Sequence, residues 1–154
     1  MKVLLAAALL SASAVLPTAA VNTWGVPATV HYIPYDKVSS VMAKCGSIIQ
    51  DPGLNVLAQR RGAGQPPLGV ELHHKTNHVF IMVDGEATFV TGGTLVGAKQ
   101  TGPDQTRGER IEGGQTFHLK KGDVVTVPAG TPHWWKEVPT GTVGYYGVNI
   151  EGPK

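Results

Sequence analysis

From about residue 54 onward the chain is a series of short runs in which apolar side chains alternate with polar ones, punctuated by glycine or proline. LNVLAQR (54–60) and GVELH (69–73) follow this pattern. HVFIMV (78–83) and EATFV (86–90) come next, separated by Asp84-Gly85, a dipeptide that favours a tight hairpin turn. RIEGGQTFHL (110–119), DVVTVP (123–128) and VGYYGVNI (143–150) complete the set. Period-two alternation puts one face of each run toward a core, and glycine or proline between runs marks turns. One segment has a different period. YDKVSSVMAKCG (35–46) places Val38, Val41 and Met42 on one helical face, with Gly46 as a stop. GGTLVGAKQTGPDQTRGE (92–109) is polar and glycine-rich, and reads as a strand followed by a long exposed loop. Many short strands without helical crossovers predict an all-β fold, an antiparallel barrel or jelly roll, preceded by one short helix.

Composition narrows the picture. With 154 residues, 42% of them apolar and 16% charged, the chain is long enough for one hydrophobic core and too apolar for disorder. The net charge is +2, and the basic pairs Arg60-Arg61 and Lys120-Lys121 are scattered, so nucleic acid is not an expected partner. Residues 1–20 have the form of a secretory signal peptide: Lys2, an uncharged apolar stretch over 3–16, and small residues before a cleavage point after Ala20. A secreted or periplasmic domain over 21–154 is expected, with no membrane span in the mature chain. Cys45 is the single cysteine, which excludes an intramolecular disulfide. At the end of the helix it reads as a small buried side chain, with an intermolecular bridge as the alternative.

Two stretches carry candidate chemistry. GVELHHKTNHVFIMVDG (69–85) holds three of the six histidines within six residues, with Glu71 just ahead. Strand alternation points Glu71 and His73 one way, and Leu72 and His74 the other. Past the turn HKTN (74–77), His78, Phe80 and Met82 share a face. GDVVTVPAGTPHWWKE (122–137) has a mechanical reading. Gly122 opens a turn into a buried valine strand, Pro128 ends it, and Gly130 permits a bend that presents His133 inward. Parity from His133 turns Trp135 inward as well. Imidazoles with a carboxylate suit a first-row divalent ion that keeps positions open to water or substrate. The bland alternative is a set of polar residues at a barrel rim.

The second stretch resembles the second motif of the cupin superfamily: glycine, five residues, proline, one, glycine, two, histidine. The first stretch is similar to the first motif, His-x-His, three or four residues, Glu, six residues, Gly, once Gly85 is taken as its last glycine. His78 then stands at the glutamate position, His73 at the second histidine and Glu71 at the first, so two residue types are exchanged while three imidazoles and one carboxylate remain. The resemblance covers Val70 to Glu137 and implies a single cupin-type barrel. It also implies one divalent transition metal (Fe, Mn, Zn, Cu or Ni) on Glu71, His73, His78 and His133, with Glu71 either a ligand or a hydrogen-bond partner of a liganding imidazole. Phe80, Met82 and Trp135 would line the site against a small-molecule ligand, and one of Tyr145 and Tyr146 could add a hydroxyl. His31 and His118 have no role in this scheme, and Glu137 is a rim position. Dioxygenase, isomerase or lyase chemistry on a small organic molecule is expected. The alternative is a non-catalytic secreted module that holds a metal or a sugar. The resemblance further allows a homodimer.

Overall fold

The structure, a computed structural model, describes residues 29–62 and 69–151; the signal peptide expected over 1–20 lies outside that range. The helix α1 spans Tyr35–Lys44. Val38, Val41 and Met42 are its half-buried residues, and they pack onto β1 (Gly46–Asp51) and β2 (Leu54–Gly62). Helical periodicity therefore places the stripe that docks. The stop differs from the expectation. Cys45, not Gly46, takes a positive φ, 56°, with ψ 121°, and Gly46 begins β1. Cys45 is exposed rather than buried, and its thiol donates to the Arg60 carbonyl oxygen at 3.0 Å.

After β3 (Val70–His73) comes β4 (Thr76–Thr91), which organises the fold. It runs straight through Asp84-Gly85, so the hairpin expected there is absent. The first half of β4 pairs with β12 (Thr142–Glu151) on one side and β10 (Val124–Val127) on the other. The second half pairs with β9 (Gln115–Lys120) and β11 (His133–Glu137). Two walls result. One has the order β1-β2-β12-β4, with β10 beyond; the other runs from β4 through β11 and β3 to β7 (Gln105–Gly108). Gly85 is the joint. Its φ is +71°, and a Cβ there would stand 2.1 Å from the Thr142 carbonyl oxygen, so only glycine fits. The buried face changes parity across it, from His78, Phe80 and Met82 to Ala87 and Phe89. That is the signature of a bulge within one bent strand.

The core between the walls contains Phe80, Met82, Phe89, Trp135 and Tyr145, with Ala87, Leu119, Val127 and Val143. Its rings meet edge to face and in stacks, with Trp135 and Tyr145 centroids 4.4 Å apart. Two further expectations need correction. DVVTVP is not buried along its length. Val127 is buried but Val124 is 59% exposed, because β10 hydrogen-bonds to β4 alone and covers one face only. Residues 92–109 are not a strand and a long loop. They form β5 (Thr94–Val96), β6 (Lys99–Gln100) and β7, and β5 pairs with β8 (Arg110–Glu112). β7 extends the second wall beside β3.

Candidate metal centre

Three imidazoles meet at one end of the barrel, where the two walls approach. His78 comes from the first half of β4, His73 from the end of β3 and His133 from the start of β11. One nitrogen from each lies within 4.8 Å of the others. The ring centroids are 4.8 Å apart for His73 and His78, 5.0 Å for His78 and His133, and 5.9 Å for His73 and His133. The turn of the second motif is tied to the first. Gly130, with φ +78°, donates its amide to the His73 carbonyl oxygen at 2.7 Å. Ala129 N–H donates to Asn77 Oδ1 at 3.1 Å. These bonds fix where β11 enters, and so where His133 stands.

Each ring is oriented from behind. His78 is 5% exposed, and its Nδ1–H donates to Asn149 Oδ1 of β12 at 2.8 Å. Its other nitrogen, Nε2, is buried with no hydrogen-bond partner. An unpartnered buried nitrogen is costly, and a ligand that accepts its lone pair removes the cost. A second-side hydrogen bond that fixes the tautomer is also what metal-bound histidines have. His133, 3% exposed, places Nδ1 3.4 Å from the Thr131 carbonyl oxygen. His73 lies between two carboxylates, with Glu71 Oε2 3.7 Å from Nε2 and Asp104 Oδ2 3.7 Å from Nδ1.

These surroundings set the charge states. Burial lowers the pKa of His133 to about 4, and the neighbouring His78 adds to the shift. Burial also lowers His78, with its bond to Asn149 opposing. Both rings are neutral near pH 7, as metal ligation requires. Burial by itself would raise Glu71, but the contact with His73 and the charges of Arg107 and His133 outweigh it and hold the carboxyl below its ordinary value. Glu71 is therefore ionised. Its Oε1 forms an ion pair with Arg107 Nη2 at 2.8 Å, and its Oε2 is the oxygen nearer His73. Asp104 is likewise held low, because its bonds from Thr76 and the Lys75 amide outweigh its burial.

The cluster fits a metal ion by its donor chemistry and by the unpartnered His78 nitrogen. Imidazole nitrogens stand about 2.1 Å from a zinc-sized ion, so at the tetrahedral angle two on one ion are about 3.4 Å apart. Closing from 4.8 Å asks the rings to approach by about 1.4 Å between them, within reach of side-chain torsions.

A cavity of about 190 Å³ lies beneath the cluster. Phe80 and Trp135 line it, whereas Met82 packs in the core, 1% exposed and away from the cavity wall. Trp134 lies on the other face of β11, with Lys136 Nζ 5.8 Å from its ring. His74 is exposed beside Thr106, and His31 pairs with Asp51 at 2.8 Å. Arg107, Gln105, Asp104, Asn149, Gln59 and Arg61 complete the surroundings, and no motif marks them. The pairing of β3 with β7 supplies two of them, through Glu71 opposite Arg107 and His73 opposite Gln105. The parity of VGYYGVNI, with Tyr145, Gly147 and Asn149 on one face, is the trace that points to Asn149.

No protein-family model matches the chain, and no curated protein matches it. Solved structures do. BH2720 from Bacillus halodurans aligns with TM-score 0.57 at 14% identity, over 80% of this chain and 83% of that one. The iron(II) form of HppE aligns with TM-score 0.51 at 17% identity, over 69% of this chain and 50% of that one. The aligned part of this chain thus spans about half the length of HppE. The chain shares the fold of these structures, a cupin-type antiparallel β-barrel. In this barrel the three imidazoles form a cluster of the kind a divalent metal takes.

Proposed function

We propose that this cupin is a metal-dependent enzyme acting on a small organic molecule, with one divalent transition-metal ion held by His73, His78 and His133. Glu71, whose Oε2 lies 3.7 Å from His73 Nε2, would add a carboxylate oxygen or hold that imidazole. The observation that carries the reading is His78 Nε2: buried, unpartnered, and fixed in tautomer by Asn149 on the opposite side of the ring. A bound divalent ion would act as a Lewis acid that polarises a substrate oxygen, which suits dioxygenase, isomerase or lyase chemistry. HppE, which shares the fold, is described in iron(II) and cobalt(II) forms, and this supports a first-row ion.

The chain's own residues have distinct tasks in this scheme. Phe80 and Trp135 form an apolar wall that excludes water and so strengthens electrostatic interactions inside. Gln59 and Gln105 offer amide groups to orient a polar substrate. Together with His73, Arg107 keeps Glu71 ionised, and it pairs with one carboxylate oxygen, leaving the other toward the imidazoles. The volume of about 190 Å³ lies below the roughly 300–1,000 Å³ of sites for drug-sized ligands, so the substrate is compact.

The test is turnover by protein stripped with a chelator and then reloaded with iron, manganese, zinc, copper or nickel. The substrates are a panel of enolisable and catecholic compounds. Turnover that appears on reloading and disappears in His133→Ala supports the enzyme. Stoichiometric metal uptake with no turnover across the panel favours the non-catalytic binding module.

A further inference from the structure

Arg61 is the one arginine of four without an acidic partner. Arg60 pairs with Asp84, Arg107 with Glu71 and Arg110 with Glu112. No aspartate or glutamate among the described residues lies within ion-pair distance of Arg61. The residues outside the described range contain no acidic side chain at all. Yet Arg61 is half-buried and lines the cavity beneath the imidazoles, where it is the only lysine or arginine among the described residues. Alternation along β2 puts it there, on the face that also carries Leu57 and Gln59, while Ala58 on the other face is fully buried.

The guanidinium is held in place. Its Nε–H donates to the Tyr145 hydroxyl oxygen at 2.7 Å, and its Cζ stands 5.9 Å from the Tyr145 ring centroid. Tyr145 is in turn stacked on Trp135. Since the hydroxyl oxygen accepts from Arg61, its O–H is available to donate, and the outer guanidinium N–H groups are likewise not engaged in an ion pair. Burial keeps that phenol protonated, with its pKa raised despite Arg61. A half-buried cation without a counter-ion, fixed beside a hydroxyl donor in a ligand-sized cavity, is a site for an anion. One planar fork and one hydroxyl match a carboxylate; a phosphate, with three oxygens and a larger charge, asks for more donors than this wall offers.

We propose that Arg61 and Tyr145 anchor a carboxylate of the substrate, so that the protein acts on a small organic acid. This rests on the metal reading above, because the anchor fixes one end of a molecule whose other end meets the ion. The two ends are well separated. Tyr145 and Asn149 are four residues apart on β12, about 13 Å of strand at ~3.3 Å per residue. The Phe80 ring lies between, 5.6 Å from Tyr145 and 5.4 Å from His78 by centroids. The carboxylate therefore sits across the aromatic wall from the metal-binding end.

The test uses zinc-loaded full-chain protein and two probes, the monohydroxamate of succinic acid and the same hydroxamate with its carboxylate replaced by a primary amide. Both carry a zinc-binding group, and they differ in one charge. Titration calorimetry on wild-type protein is expected to show the acid binding at least about tenfold more tightly than the amide. Arg61→Gln should abolish that preference while zinc stoichiometry stays at one per chain, and Tyr145→Phe should reduce it. Equal affinity of the two probes for wild-type protein overturns the anchor, as does a preference that survives in Arg61→Gln. Failure of wild-type protein to take up zinc overturns the metal reading instead, and this one with it. If Arg61→Gln does not fold, Arg61→Lys keeps the charge but loses the fork; an undiminished preference there contradicts the proposal.

Discussion

The metal site depends on His78 more than on any other side chain. Its position follows from strand parity and from the spacing to Gly85, both legible in the sequence. What holds it does not, because Asn149 is 71 residues away and meets it only through the register of β12 on β4. Replacing that partner tests the assignment. Asn149→Ala is expected to weaken metal binding by about 10–100-fold with the barrel intact, because the ring loses its tautomer lock. A competition titration with a chromophoric chelator measures this, and unchanged affinity would contradict the assignment. Titration gives a second test. His133 has a native pKa of about 4, below the ordinary histidine value of 6.5. Between those values the unfolded chain binds the additional proton, so stability rises with pH across the window and falls as pH drops from 6.5 toward 4. The urea midpoint of metal-free protein should follow that course, more shallowly in His133→Gln. A midpoint flat over this range would count against the buried neutral imidazole. Polar residues on inward faces, among them Arg61 and Gln59, escape a reading of the sequence for a physical reason: binary pattern assigns polar side chains to solvent, and a functional cavity inverts that rule.

At the scale of the element, β4 decides the architecture. Locally, Asp84-Gly85 between two apolar runs is a hairpin signal, and the left-handed conformation of Gly85 is real. Long-range pairing overrides the hairpin, because β12 runs past the bend and slips its own register between Gly144 and Tyr145 to match it. The same long-range pairing turns residues 105–108, polar and unremarkable in isolation, into the strand that brings Arg107 to Glu71. Two glycine substitutions separate conformation from space. Gly85→Ala meets both an unfavourable φ and a carbonyl oxygen 2.1 Å from its Cβ, and is expected to cost about 3 kcal/mol. Gly130→Ala meets only the φ, with nothing within 4 Å, and should cost about 1 kcal/mol. Urea unfolding of both variants checks the difference, and equal costs would mean that the bend of β4 is not held by the close approach of Thr142.

For the whole molecule, alternating runs, turn residues and one helical stripe were enough to indicate an all-β barrel with a short helix. The second motif located the loop that presents His133. The depth of the site was not legible, because it arises where two walls built from distant segments converge. An ion at that seam joins β3, β4 and β11, so it stabilises the assembled barrel and not the unfolded chain. Metal at about 100 times its dissociation constant should add about 2.7 kcal/mol and raise the melting temperature by roughly 5–10 °C, reversibly on chelation. X-ray absorption spectroscopy of the stoichiometrically loaded full chain is the decisive measurement. One ion per chain is expected, with imidazole scattering from three rings and at least one light oxygen ligand. Stoichiometric binding is expected to be lost in His133→Ala. A protein that takes up no divalent ion, or one whose metal environment is the same in wild type and His133→Ala, would contradict the metal site.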